Sequence, residues 1–306
     1  MKIEKHDKNF AKTATYNQGI NIKVPSHFVN LYGLIYDEKD GFIRMPTDIS
    51  NNVSEGVAWL NRHTAGGRIS FSTDSRFVTI KVSYPSLDKM YHMPLTGQAG
   101  FSLEEVRNDK EYHRFTYVTS FDDTNGYVSS SKLLKTKKMR DYVLYFPLYN
   151  RVSSLELVLE DGSIIKPYVP YKEIKPILYY GNSITQGGCA SRADNSYQSM
   201  VTKEFRIDHI NLGFSGNGKG EDLMADYLAN IPCSCFVIDY YYLYYCNKLT
   251  ARILKHKKQN LCPKIWNGKD THFFGVWVDV ARVFFVREYF FVFLQIQFYQ
   301  KRDIVK

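Results

Sequence analysis

Between residues 68 and 84 the chain alternates polar and apolar side chains with a period of two. Arg68-Ile69-Ser70-Phe71-Ser72 and Phe77-Val78-Thr79-Ile80-Lys81-Val82-Ser83-Tyr84 both carry this pattern, which predicts half-buried β-strands. Asp74-Ser75 between them reads as a turn. Tyr142-Val143-Leu144-Tyr145-Phe146 and Leu155-Glu156-Leu157-Val158-Leu159 predict further strands, and Asp161-Gly162 is the turn signal after the last. Residues 17–170 are therefore expected to form a β-sandwich of short strands behind a polar leader, residues 1–16. No internal repeat is evident.

From Tyr171 the period changes. The apolar run Ile177–Tyr180 reads as a buried strand, followed by a helix over Ser196–Phe205. A second strand, His209–Leu212, ends at Gly213; a helix over Gly220–Asn230 and a third strand, Cys235–Asp239, follow. This alternation predicts an α/β domain, residues 171–306, with a parallel sheet and helices on its faces. Pro167, Pro170 and Pro176 suit a linker between the two domains.

Composition narrows the partners. The 306 residues suffice for about two domains. A 44% hydrophobic and 23% charged content is that of a globular protein. The net charge of +9 permits nucleic-acid binding. Its residues are scattered, however, apart from Lys132–Arg140 and Lys255–Lys258, which read as solvated faces. No nucleic-acid partner is expected. Cys189, Cys233, Cys235, Cys246 and Cys262 form an odd set without repeated spacing, which argues against a disulfide framework and a metal site. No metal or cofactor is expected. The polar start lacks the apolar core of a signal peptide, so a cytoplasmic location is expected. Asp279, Arg282, Arg287 and Glu288 interrupt the apolar stretch Phe273–Phe298, so no membrane span is expected. Nothing indicates the oligomeric state.

The chemistry centres on Gly181-Asn182-Ser183, which directly follows a predicted parallel strand. Reactive groups in α/β sheets sit at such carboxyl ends. Ser183 is a candidate nucleophile, and the N–H groups of Ser183 and Gly213 are candidate oxyanion donors. The same residues also fit a plainer reading, in which the glycines make βα turns and Ser183 caps a helix. Gly216-Asn217-Gly218-Lys219-Gly220 lacks the spacing of a dinucleotide loop.

Tyr180-Gly181-Asn182-Ser183-Ile184-Thr185-Gln186-Gly187-Gly188-Cys189-Ala190-Ser191-Arg192 resembles the first block of SGNH (GDSL-like) hydrolases. Asn211-Leu212-Gly213-Phe214-Ser215-Gly216-Asn217-Gly218 resembles the second. Val57–Gly67, His92–Gly97 and Tyr145–Asn150 are similar to segments of a subgroup with an amino-terminal β-sandwich. The resemblance covers about residues 25–240 and implies an all-β sandwich followed by a flavodoxin-like parallel-sheet domain. It further implies a serine esterase. Ser183 would attack an ester carbonyl while Ser183 N–H and Gly213 N–H stabilise the oxyanion. In the family a downstream Asp-x-x-His supplies the base, and a third-block asparagine adds a donor. The implied substrate is a small ester such as an acylated carbohydrate. Asn217, Trp59 and His92 are candidate substrate contacts, with Tyr91 beside them. Core packing accounts for such aromatics equally well.

The pattern breaks after Val237-Ile238-Asp239-Tyr240. Leu243 stands where the third-block asparagine is expected and has no donor. No Asp-x-x-His follows; Asp270-Thr271-His272 has the wrong spacing, and His272 reads as structural or exposed. Residues 241–300 show neither hydrophobic period, whereas Lys301–Lys306 resembles the family again. This reads as a frame-shifted stretch in a chain that stops before its base; a divergent tail is the other reading. Two functions compete: an active serine esterase, or an inactive, truncated or degenerate member that keeps the fold or ligand binding.

Overall fold

The computed structural model describes residues 15–239 and the backbone of two further strands, 273–277 and 282–286. The expectations for the leader up to residue 14, for Leu243 and for His272 lie outside the described residues, as does the reading of the 241–300 stretch beyond those two strands.

The alternating segments form strands that pair across long stretches of chain. One antiparallel sheet runs β1 (Ile20–Val24), β11 (Ser154–Leu159), β6 (Val78–Ser83), β9 (Gly126–Ser130). The second runs β12 (Ile165–Pro167), β5 (Arg68–Thr73), β10 (Arg140–Tyr145), β7 (Phe101–Arg107), β8 (Lys110–Tyr117), with β2 (Asn30–Tyr32) also on β5. Every second residue points inward: Val78, Ile80 and Val82 of β6 and Leu155, Leu157 and Leu159 of β11 meet Ile69 and Phe71 of β5 and Leu144 of β10. The Asp74-Ser75 turn joins strands of different sheets rather than a hairpin pair. A small hairpin, β3 (Ile35–Asp37) and β4 (Gly41–Ile43), and two helices, α1 (Thr47–Val53) and α2 (Glu55–Leu60), precede β5; α3 (Leu95–Gln98) precedes β7.

The α/β unit holds three parallel strands, β13 (Ile177–Gly181), β14 (His209–Gly213) and β15 (Cys235–Asp239), in the order β14-β13-β15. α4 (Ser183–Gln186) and α5 (Tyr197–Phe205) connect the first two, and α6 (Asp222–Asn230) the last two. The fold class is thus as expected, a β-sandwich followed by a parallel-sheet α/β unit. The order places a switch of winding direction at the end of β13, where such sheets bind ligands. Ile177 and Tyr179 face Val201 of α5. Leu178, Tyr180 and Leu212 face Met224, Ala225 and Leu228 of α6, together with Val57 and Leu60 of α2. The two units therefore share a core. Strands β16 (Phe273–Trp277) and β17 (Arg282–Val286) pair antiparallel, with Phe273 opposite Val286. No helix among the described residues is long and apolar enough to cross a membrane.

One expectation is corrected here. β5 is not half-exposed: all its residues are buried, because its polar face meets the α/β unit at Arg68 and is covered within the sandwich unit further on, where Ser70 donates to the Tyr168 carbonyl and Ser72 to Asp141. Arg68 on that face is fully buried. It donates to Asp208 and to the His209 carbonyl at 3.0 Å, and its guanidinium lies 2.8 Å from the His209 ring nitrogens. At the other end of β14, buried Arg44 donates to the carbonyls of Gly213, Asn211 (3.3 Å) and Leu60 (2.6 Å) and stacks 4.4 Å from the Phe214 ring. Two arginines from the sandwich unit thus clamp β14 at both ends.

Candidate active site

β13 delivers the chain to Gly181, Asn182 turns it, and Ser183 opens α4; Gly187, at φ +108°, ends that helix after one turn. The Ser183 carbonyl accepts from Gly188 N–H at 2.7 Å and from the Tyr149 hydroxyl at 3.1 Å. Its own Oγ is half-exposed, with no hydrogen-bond partner among the described residues. The side chain is therefore held in place through its backbone while its hydroxyl stays free.

Ser183 opens into a cleft of about 410 Å³. Ile184, Gly188, Cys189 and Ser215 line it from the α/β unit. Met90, His92, Met93 and Tyr149 form the facing wall from the sandwich unit. Burial raises the Tyr149 pKa although Ser215 and Arg44 pull it down, so its hydroxyl is a neutral donor.

The loop after β14 is tied to the turn and helix that carry Ser183 at three points. Phe214 N–H donates to the Gly181 carbonyl at 2.8 Å, Ser215 N–H to Gln186 Oε1 at 2.9 Å, and Gly218 N–H to Asn182 Oδ1 at 3.1 Å. Gly216 lies between these ties, exposed, at φ +67°, and its N–H has no partner among the described residues. Gln186, fully buried, also donates through Nε2 to the Leu148 carbonyl at 3.2 Å and to His63 Nδ1 at 3.1 Å. Burial, and then Arg44, hold the His63 pKa down at about 3; the ring is neutral, with its proton on Nε2. On the far side, Thr185 Oγ1 donates to Asp239 Oδ2 at 3.0 Å, which joins α4 to the end of β15.

Three site expectations change. Gly213 N–H is not an oxyanion donor: it donates to Asn211 Oδ1 at 2.9 Å and is buried under α4. Gly213 is needed for close packing, since a Cβ there would lie 2.2 Å from Gln186 N. Asn217 does not line the cleft. Its amide donates to the Ser215 carbonyl at 2.9 Å and its side chain packs against Gly56 of α2. Trp59, 54% exposed, sits outside the cleft with its ring edge-on to His63 at 4.4 Å. Of the sandwich aromatics named from the sequence, His92 does line the cleft, while Tyr91 is fully exposed outside it. Sequence reasoning passed over Gln186 and Tyr149, although both stand inside segments singled out for their resemblance. It also passed over Met93, which stands in the similar segment His92–Gly97, and Met90, which carries no periodic signal.

Glu104, His113 and Asp194 bring one ligand atom each within 4.8 Å of one another. Each already has a partner: His113 Nδ1 lies 2.7 Å from Glu104, and Asp194 binds Arg192 at 3.0 Å and Lys203 at 2.7 Å. Burial raises the Asp194 pKa, but Arg192 and Lys203 outweigh it and hold the carboxyl at about 2. The group is an ion-pair network at the seam between the units.

A sandwich unit sharing its core with a parallel sheet, and a serine at the switch point of that sheet, define the class of SGNH-type α/β hydrolases. Residues 24–165 match the family GxDLY, the N-terminus of SGNH-hydrolase-type esterases, and residues 174–264 match the GDSL-like lipase/acylhydrolase family. The chain belongs to this family, in the form with the GxDLY amino-terminal domain. A solved protein from Bacteroides ovatus ATCC 8483, described as a GDSL-like lipase, is 26% identical with a TM-score of 0.70, over 78% of this chain and 71% of that one. The salicylyl-acyltransferase SsfX3 from a tetracycline biosynthetic pathway shares the fold at 13% identity, with a TM-score of 0.59, over 78% of this chain and 69% of that one. No curated protein matches this chain.

Proposed function

We propose that this chain hydrolyses a small ester, such as an acylated carbohydrate, through Ser183. The observation that carries the reading is the free Ser183 hydroxyl at the mouth of a two-unit cleft, next to a loop whose Gly216 N–H is unpartnered. Ser183 Oγ attacks the ester carbonyl. The carbonyl oxygen becomes an oxyanion that Ser183 N–H and Gly216 N–H receive. Collapse of the tetrahedral species expels the alcohol and leaves the acyl group on Ser183, and water then releases the acid. The second reading, a non-catalytic family member, draws on one observation: Ser183 Oγ has no basic partner among the described residues. A serine without its base loses on the order of 10⁴–10⁶ in rate. Hydrolysis of short-chain aryl esters by this chain and by Ser183→Ala separates the two. A rate lost in Ser183→Ala supports the esterase; equal rates leave the non-catalytic reading.

A further inference from the structure

The wall that the sandwich unit presents to Ser183 is built rather than incidental. Gln98, 1% exposed, accepts Met90 N–H at 2.8 Å through Oε1. Its Nε2 donates to the Met90 carbonyl at 3.2 Å and the Met93 carbonyl at 2.8 Å. One buried amide thus holds the 90–93 segment at both ends. The segment in turn docks on the chain after α4, where Thr96 Oγ1 donates to the Ser191 carbonyl at 2.5 Å and the Cys189 thiol to the His92 carbonyl at 3.7 Å. The α/β unit answers with Ile184, 60% exposed at the residue next to Ser183.

Besides Ser183, Tyr149 and the Cys189 thiol, the polar side chains of the lining are His92 and Ser215. Among the described residues the lining contains no carboxylate, amide, lysine or arginine side chain, and the Tyr149 hydroxyl is engaged with the Ser183 carbonyl. Two thioethers, an isoleucine, a thiol and a tyrosine ring supply most of the wall beside the serine. Methionine adapts its shape to flexible apolar groups. We infer that this cleft is a hydrocarbon pocket for the acyl chain of the ester, with Met90, Met93 and Ile184 as the residues that set chain length. The inference rests on the reading of Ser183 as nucleophile, because the acyl group is the part transferred to that serine and held there until water releases it. A cleft of 410 Å³ lies within the range of small-molecule sites and leaves room for more than an acetyl group. Each methylene buried there strengthens binding about fourfold, equivalent to about 0.8 kcal/mol.

The test reads binding rather than turnover. Ser183→Ala protein labelled with ¹³C at the methionine methyls is titrated with acetate, butanoate, hexanoate and octanoate. Met90→Leu and Met93→Leu assign two of the seven methionine signals. The expected result is movement of the Met90 and Met93 signals, with affinity rising about fourfold per methylene, and loss of that chain-length gain in Met90→Trp. Signals unmoved by octanoate, affinity equal to that for acetate, or larger shifts with cellobiose than with any fatty acid would overturn the pocket. Failure of the serine reading looks different: ester turnover unchanged in Ser183→Ala, whatever the methyl signals do.

Discussion

Gly213 shows how a single absent side chain sets the site. A Cβ at this position would sit 2.2 Å from Gln186 N and 2.5 Å from the Thr185 carbonyl carbon. Both are backbone atoms of α4, so no rotamer change relieves the clash, and the helix that carries Ser183 has to move. Gly213→Ala is expected to cost about 3 kcal/mol or more, with ester turnover falling alongside. Gly162 is the control. It has φ +66° but open space around it, so Gly162→Ala is expected to cost only about 1 kcal/mol, the strain of a left-handed backbone. Urea unfolding of both variants measures the difference, and equal costs would sink the packing account. The sequence made Gly213 visible as special but pointed to the wrong property. A glycine at a strand end signals that something approaches closely; whether that is a ligand at its N–H or a helix where its Cβ would be depends on the three-dimensional neighbours. Ser183 was legible because a strand end and a helix start bracket it within a few residues. Gly216 was not, since an unpartnered N–H is defined only once its neighbours' N–H groups have found acceptors.

Among the elements, the loop 214–218 depends on α4 for its shape, and Gln186 is the joint. Leucine at this position leaves the buried Ser215 N–H, the Leu148 carbonyl and His63 Nδ1 without partners. Gln186→Leu is therefore expected to lose about 2–4 kcal/mol and, on the proposal that Gly216 N–H receives the oxyanion, to lower kcat more than it raises KM. Gln186→Glu still accepts from Ser215 N–H but no longer donates to Leu148 or His63, so it is expected to fall between leucine and the parent in both stability and kcat. Leucine and glutamate variants with identical kcat would remove the loop-positioning role. Strands β5, β6, β10 and β11 and the three strands of the parallel sheet were readable from their own pattern, whereas the longer β7 and β8 were passed over. The short β2, β3 and β12 were not, since pairing with a neighbour rather than pattern holds them extended. The polar face of β5 misled for a related reason: Arg68, Ser70 and Ser72 look solvent-facing in sequence, and only partners distant in the chain bury them, Asp208 and His209 at Arg68, Tyr168 at Ser70 and Asp141 at Ser72.

For the whole molecule, the seam between the units sets the response to pH. His63 is held at about 3, and His209 well below the usual histidine range, by burial first and then by Arg44 and Arg68 respectively. Both rings are neutral in the folded chain, whereas in the unfolded chain they take up protons below about pH 6.5. Their contribution to stability is complete above that pH and is lost as the pH falls, at about 1.4 kcal/mol per unit for each ring. Glu111 has the opposite sign. Burial raises its carboxyl to about 7, although the Tyr145 hydroxyl at 2.6 Å and nearby Lys203 oppose the shift. Its contribution is complete below about pH 4.5, the ordinary value, and is lost as the pH rises through about 7. Between about 4.5 and 6.5 two histidine protons work against one glutamate proton, and stability climbs by about 1.4 kcal/mol per unit. From about 6.5 to 7 Glu111 is the one of these three groups still acting, and their summed contribution falls slightly. Glu111→Gln removes the opposing proton. Its stability is expected to climb about twice as steeply over the same window and to stay level above it, as read by urea unfolding midpoints from pH 4 to 8. A slope that Glu111→Gln leaves unchanged would show that this carboxyl is ionised in the folded seam.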